Sequence, residues 1–192
     1  MNRISPDRLG GNIFQTIGKQ WMLVGASADG RVNAMTASWG GMGVLWNKNV
    51  VFVFLRPQRF TKTLVDKAEY FSLSFFGEED RGMLTYMGRV SGRDEDKIAA
   101  QGLNFELVNG APVFEKAQTT LICRKLYRQT LDEKCFIDGT IAEKKLPRKR
   151  LARRIRRRNN RYIHRVTAAK TKALRKRGAF FMVNYTFKCN TL

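Results

Sequence analysis

Arg56, Arg59 and Thr61 crowd the point where an apolar run breaks at Pro57 and helix-forming residues begin, and residues of these types at this spacing could hold an anion. Val50 to Leu55 has the Val and Phe content of a buried strand. Beyond the break, Thr61 suits the N-cap or first turn of a helix, and Lys62 to Glu69 supplies helix formers with Leu64, Val65 and Ala68 at helical spacing. The free N–H groups and positive dipole end of such a start attract negative charge, and two guanidinium groups and a hydroxyl add charge-assisted hydrogen bonds. A phosphate group fits that chemistry. A capped helix with two solvated arginines explains the motif alone equally well.

Upstream, Met35, Thr36, Ala37, Ser38 and Trp39 mix small hydroxyls with an aromatic ring and lack the even alternation of a half-buried strand. Their hydroxyls and backbone amides could hydrogen-bond the edge of a flavin; the alternative is an ordinary strand with Thr36 and Ser38 facing water. Ser91-Gly-Arg-Asp-Glu-Asp-Lys97 opens a third segment, a short helix running through Ile98 to Gln101 and stopping at Gly102, with Ser91 and Asp94 as caps.

In this order and spacing the three segments resemble the flavin reductase-like family of FMN-binding split β-barrels, especially its flavoredoxin-type branch. The resemblance covers about residues 5–143 and includes a late Phe136-Ile-Asp-Gly-Thr-Ile141 strand. It implies a mainly β, antiparallel, Greek-key-like split barrel with a few short helices. By the family pattern, Met35, Thr36, Ala37, Ser38 and Trp39 line the isoalloxazine and ribityl chain of FMN. Arg56, Arg59, Phe60, Thr61 and Lys62 hold its phosphate end, and Ser91, Gly92 and Lys97 lie near the flavin or a dimer partner. Where relatives often place Cys before the glycine preceding this last segment, the chain has Met87 before Gly88.

The implied activity is that of an FMN-dependent oxidoreductase or electron carrier, with hydride passing from NADH or NADPH to flavin N5 and electrons then reaching a small-molecule or protein acceptor. No side chain need act as acid or base. Backbone N–H groups near Thr36 to Ser38 would stabilise charge at N1 and O2, or orient N5 and O4. A tightly held flavin and a homodimer are expected.

The elements that must position these residues read as mostly β. Strands are expected at Met22–Ser27, Val32–Trp39, Val50–Leu55, Tyr70–Phe75, Thr119–Tyr127 and Cys135–Ala142, and helices at Thr61–Lys67, Glu78–Tyr86 and Asp94–Gln101. Turns at Asp29-Gly30 and Asn109-Gly110 suggest a closed antiparallel barrel with a few helices, of which a split barrel is one form. The cysteines, Cys123, Cys135 and Cys189, have neither disulfide nor zinc spacing, and His164 is the only histidine. His-based triads and multi-histidine metal sites are thereby excluded. Ser5, Pro6, Asp7 and Arg8 interrupt any leader and no apolar run reaches ~20 residues, so a cytoplasmic protein without membrane contact is expected.

Charge divides the chain. Residues 1–143 hold 18 Lys and Arg against 16 Asp and Glu, a net of 18 − 16 = +2; residues 144–192 hold the other 18 basic residues and no acidic one. A flavin-binding domain is therefore expected over 1–143, followed by a highly basic tail. The purine-rich codons of Glu143-Lys144-Lys145 and the abrupt loss of acids point first to out-of-frame translation. An inert disordered tail is the second reading and a nucleic-acid-binding extension, through phosphates and with steep salt dependence, the third. On the first reading the terminal strand that completes the barrel in relatives is lost, leaving a sheet edge unpaired and the flavoprotein inactive.

Overall fold

A computed structural model describes residues 4–145 and 179–189. The described residues divide into two units: one runs through Gln129 and takes in the strand that starts at Ala179, and the other starts at Thr130.

In the first unit the strands are β1 (Met22–Ala28), β2 (Arg31–Ala37), β3 (Gly40–Leu45), β4 (Lys48–Leu55), β5 (Tyr70–Phe75), β6 (Phe105–Val108), β7 (Ala111–Phe114), β8 (Thr119–Thr130) and β9 (Ala179–Cys189). Helices are α1 (Ile13–Gln15), α2 (Phe60–Lys67), α3 (Arg81–Arg89) and α4 (Lys97–Ala100). Seven strands form one sheet in the order β2-β1-β5-β8-β9-β4-β3, while β6 and β7 pair separately. Three hairpins have successive left-handed residues in their turns: Asp29-Gly30 (φ 52° and 71°), Trp46-Asn47 (53° and 52°) and Asn109-Gly110 (52° and 77°). That geometry matches the right-handed twist of the flanking strands. The first of these turns fixes the β1–β2 register, with Met22 opposite Ala37 and Val24 opposite Met35.

Both faces of the central strands are covered. One core gathers Met22, Val24 and Ala26 of β1, Met35 and Ala37 of β2, Val51, Val53 and Leu55 of β4, Phe71, Leu73 and Phe75 of β5, and Leu64 and Val65 of α2. The second packs Leu23 and Ala34, from the opposite faces of β1 and β2, on Leu84 and Met87 of α3 with Ile98, Leu103 and Phe114. β2 therefore does alternate, but between two interiors, because α3 covers the face that would otherwise meet water.

Three expectations are corrected. Phe136–Ile141 is not part of a strand: Cys135 ends a 3₁₀ turn (Glu133–Cys135), and α5 (Gly139–Lys145) follows in the second unit. Local capping overrides the β-branched residues there, with Asp132 accepting from Lys134 N and Asp138 from Thr140 N. The helix expected from Asp94 starts at Lys97, where Asp96 accepts from Ala99 N as the N-cap. The unpaired sheet edge expected if the tail is out of frame is not seen beside β4, where β9 pairs antiparallel from Val50↔Asn184 to Leu55↔Ala179. Of the basic tail expected after Glu143, residues 146–178 lie outside the described residues.

Candidate functional site

α2 begins where the expectation put it, directly after the Arg56-Pro-Gln-Arg59 turn, with Arg59 at its N-cap. Lys62 N closes on Arg59 O, which leaves the first-turn amides of Phe60 and Thr61 without an intrahelical acceptor. Both residues line a cavity of about 200 Å³, together with Asn33 and Met35 of β2, Gln58 and Arg59 before α2, and Val90, Ser91, Gly92 and Lys97 before and at the start of α4. Three segments far apart in sequence thus converge, and seven expected residues line one space: Met35, Arg59, Phe60, Thr61, Ser91, Gly92 and Lys97.

The polar groups are held from behind. Asn33 is buried and donates through Nδ2 to Thr61 Oγ1 (2.8 Å), so the Thr61 hydroxyl keeps its own proton for another acceptor. Gly92 packs so tightly on Asn33 that a Cβ there would stand 2.3 Å from Asn33 Oδ1. Behind the cations lies the C-terminal turn of α3. Arg59 Nη1 donates to Gly88 O (2.7 Å), and Lys97 Nζ donates to Met87 O (2.8 Å) and Val90 O (3.0 Å). Carbonyls that a helix end leaves without partners thereby fix both cations, at the negative end of the dipole.

Lys97 is 2 % exposed. Burial, reinforced by the Arg59 charge, lowers its ammonium pKa to about 8. Burial, with Arg56 adding to it, also lowers the Arg59 value. The cavity lining includes no carboxylate, so Arg59 and Lys97 repel each other uncompensated. Such a site favours an anion, which relieves both the cost of burial and the repulsion.

The remaining expected residues stand elsewhere. Thr36 points to the opposite face of β2 and donates to Leu84 O of α3 (2.5 Å). Ala37 lies in the core. Ser38 and Trp39 continue from the edge strand β2, with Trp39 O accepting from Phe54 N (3.3 Å). The Arg56 guanidinium lies 5.0 Å from the Trp39 ring centre, outside the cavity. Lys62 is drawn along the helix to Asp66, four residues on, at 2.5 Å, and does not line the cavity.

Asn33, Gln58 and Val90 are the lining residues that the sequence reading missed. Asn33 had a usable signal: it is two residues before Met35 on a strand whose register the Asp29-Gly30 turn sets. Among the described residues no cluster of three or more His, Cys, Asp or Glu side chains could hold a metal ion, and no helix is long and apolar enough to cross a membrane.

The arrangement has counterparts. The family model of the flavin reductase like domain matches residues 14–159. Flavoredoxin of Desulfovibrio vulgaris (Miyazaki F) is similar in fold at 17 % identity and TM-score 0.59, over 88 % of this chain and 69 % of that one. An FMN-binding protein from Thermus thermophilus gives 19 % and 0.59, over 96 % and 79 %. Flavoredoxin from Methanosarcina acetivorans gives 19 % and 0.55, over 86 % and 64 %. No curated protein matches the sequence. These likenesses give the fold, an antiparallel split barrel with a few short helices, and the family match covers more than half of the chain. The chain belongs to the flavin reductase-like family.

Proposed function

We propose that the protein is an FMN-dependent oxidoreductase or electron carrier whose cavity between β2, α2 and α4 receives the phosphate end of the flavin. The observation that carries this reading is the pair of anchored cations, Arg59 and Lys97, facing a carboxylate-free space beside the free amides of an eight-residue helix. The residues present fit a phosphate monoester. Phe60 and Thr61 N–H, the Thr61 hydroxyl, Arg59 and Lys97 supply donors, and Gly92 keeps the space open because any larger residue would displace Asn33. Family membership and the FMN-binding neighbour support the cofactor's identity.

Met35 to Trp39 would hold the rest of the flavin. Bound FMN supplies hydride acceptance at N5. β2 is an edge strand, so part of its backbone N–H groups point away from β1. Around Thr36 to Ser38 those groups would stabilise negative charge on the pyrimidine side of the ring or orient it. Arg56 lies over the Trp39 ring at the end of that stretch. No carboxylate, histidine or thiol of the chain is needed for proton transfer, and the Cys123 thiol is buried and pushed well above its ordinary pKa.

NADH or NADPH is the proposed hydride source, a homodimer the proposed assembly and the cytoplasm the proposed compartment. The test is the absorbance spectrum of the purified full chain, before and after reduced nicotinamide is added without oxygen. Flavin bands that bleach, and that weaken in an Arg56→Ala/Arg59→Ala variant, are expected. A colourless protein that takes up no added FMN would refute the proposal.

A further inference from the structure

Two arginines outside the cavity remain unexplained by the FMN phosphate. Arg31, at the start of β2, and Arg93, in the loop before α4, both lie against the ring of Phe60, with guanidinium carbons 4.5 and 5.2 Å from its centre. Each is fastened by one backbone carbonyl: Arg31 Nη2 donates to Gly92 O (3.3 Å) and Arg93 Nη1 to Gln58 O (3.1 Å). Gly92, Gln58 and Phe60 also line the cavity, so these contacts set both guanidinium groups at its mouth. Neither makes an ion pair with a described carboxylate.

An exposed arginine without a partner is ordinary. Two that share one ring, each oriented by a carbonyl on a different segment of the same rim, are preorganised: a planar fork loses less freedom per hydrogen bond when stacking already fixes it. Each guanidinium has five N–H donors and commits one here, which leaves donors for a second anion. The distance from cavity to rim is that of adjoining side chains on Phe60, and a second phosphoryl group on the same or a neighbouring ligand would reach it.

We infer that Arg31 and Arg93, stacked on Phe60, form a second phosphoryl-binding subsite that sets ligand preference at the mouth of the flavin cavity. The inference rests on the proposed FMN reading. Its ligand chemistry is a phosphoryl group beyond the FMN phosphate, and two sources would bring one: a pyrophosphate-linked flavin dinucleotide, or the 2′-phosphate of NADPH.

The experiment compares the full-length protein with Arg31→Gln/Arg93→Gln and Arg31→Lys/Arg93→Lys. In one arm, Kd is measured for FMN and for flavin adenine dinucleotide; in the other, the KM ratio of NADH to NADPH is measured on FMN-loaded protein. Expected is a loss of about tenfold in preference for the ligand with the extra phosphoryl group, in one arm, for the glutamine pair, the size for two exposed charge-assisted contacts. The lysine pair should restore part of it, and FMN affinity should stay within about twofold throughout. The arm that moves identifies the source. If neither ratio moves while FMN still binds, the subsite is wrong and the flavin reading survives. If no flavin binds the unmutated protein, both fall together.

Discussion

Replacing Lys97 by Met tests whether the buried ammonium is held ready for an anion. Methionine keeps the apolar stem and removes the charge that donates to Met87 O and Val90 O. In the unfolded chain this ammonium titrates near 10.5; in the folded protein, burial and Arg59 lower it to about 8. Below pH 8 both states hold the proton and the folded state bears the full cost of the buried charge, about 3 kcal/mol from that displacement. Between pH 8 and 10.5 the folded protein has released the proton while the unfolded chain has not. Without ligand, stability therefore rises with pH across that window, by about 1 kcal/mol from pH 7 to 9. A phosphate beside the ammonium reverses the balance by restoring the charged form. FMN affinity should be nearly constant below pH 8 and weaken about tenfold between pH 7 and 9, because binding above pH 8 must take up a proton. Fluorescence titration of FMN at pH 7, 8 and 9 reads this directly, with riboflavin as the control lacking phosphate. Lys97→Met should bind FMN at least about tenfold more weakly at pH 7 and show no such slope. A pH-independent Kd in the unmutated protein, or the same slope in the variant, would refute the reasoning.

The support behind the cavity should be as sensitive as the cations. Gly92→Ala places a methyl where Asn33 Oδ1 stands 2.3 Å away, and Thr61→Val leaves the buried Asn33 Nδ2 without its acceptor. Each should cost about 1–3 kcal/mol in urea unfolding and weaken FMN binding; an unchanged midpoint in both would show that the Asn33–Thr61–Gly92 arrangement does not matter. Ending the chain after Gly178 removes β9 and exposes the β4 edge from Val50 to Leu55, so the shortened protein should aggregate or lose its cooperative thermal transition. A soluble truncated protein with the same Tm would mean that β9 is dispensable.

Much of the site was legible because local chemistry and fold agree there. The strand–Pro57–helix order, the Asp29-Gly30 and Asn109-Gly110 turns and the Tyr70–Phe75 strand could be read from composition, since each rests on residues within a few positions. What could not be read depended on distant partners. Nothing near Thr36 says that α3 will take its hydroxyl, and nothing near Lys97 says that it will be buried against the end of that helix. Nothing in the expected phosphate seat signals that Lys62 pairs with Asp66 within the same helix. β3 escaped notice because its Gly-Gly-Met-Gly sequence lacks β-forming residues; Gly40 is required there, since a Cβ would stand 2.4 Å from Phe52 O. The strand inferred near Phe136 failed for the opposite reason: its β-branched residues are overruled by aspartate caps. β9 was not among the expected strands because its partner, β4, lies more than a hundred residues earlier.

The central claim is that the cavity formed by Asn33, Arg59, Thr61, Gly92 and Lys97 binds the phosphate of a flavin. The most direct measurement is the ratio of dissociation constants for riboflavin and FMN on the full-length protein at pH 7. Two charge-assisted hydrogen bonds that riboflavin cannot make, at about 1.5 kcal/mol each, set the expected ratio at about 100 in favour of FMN. Equal affinity for the two flavins would contradict the account, whatever the protein's activity.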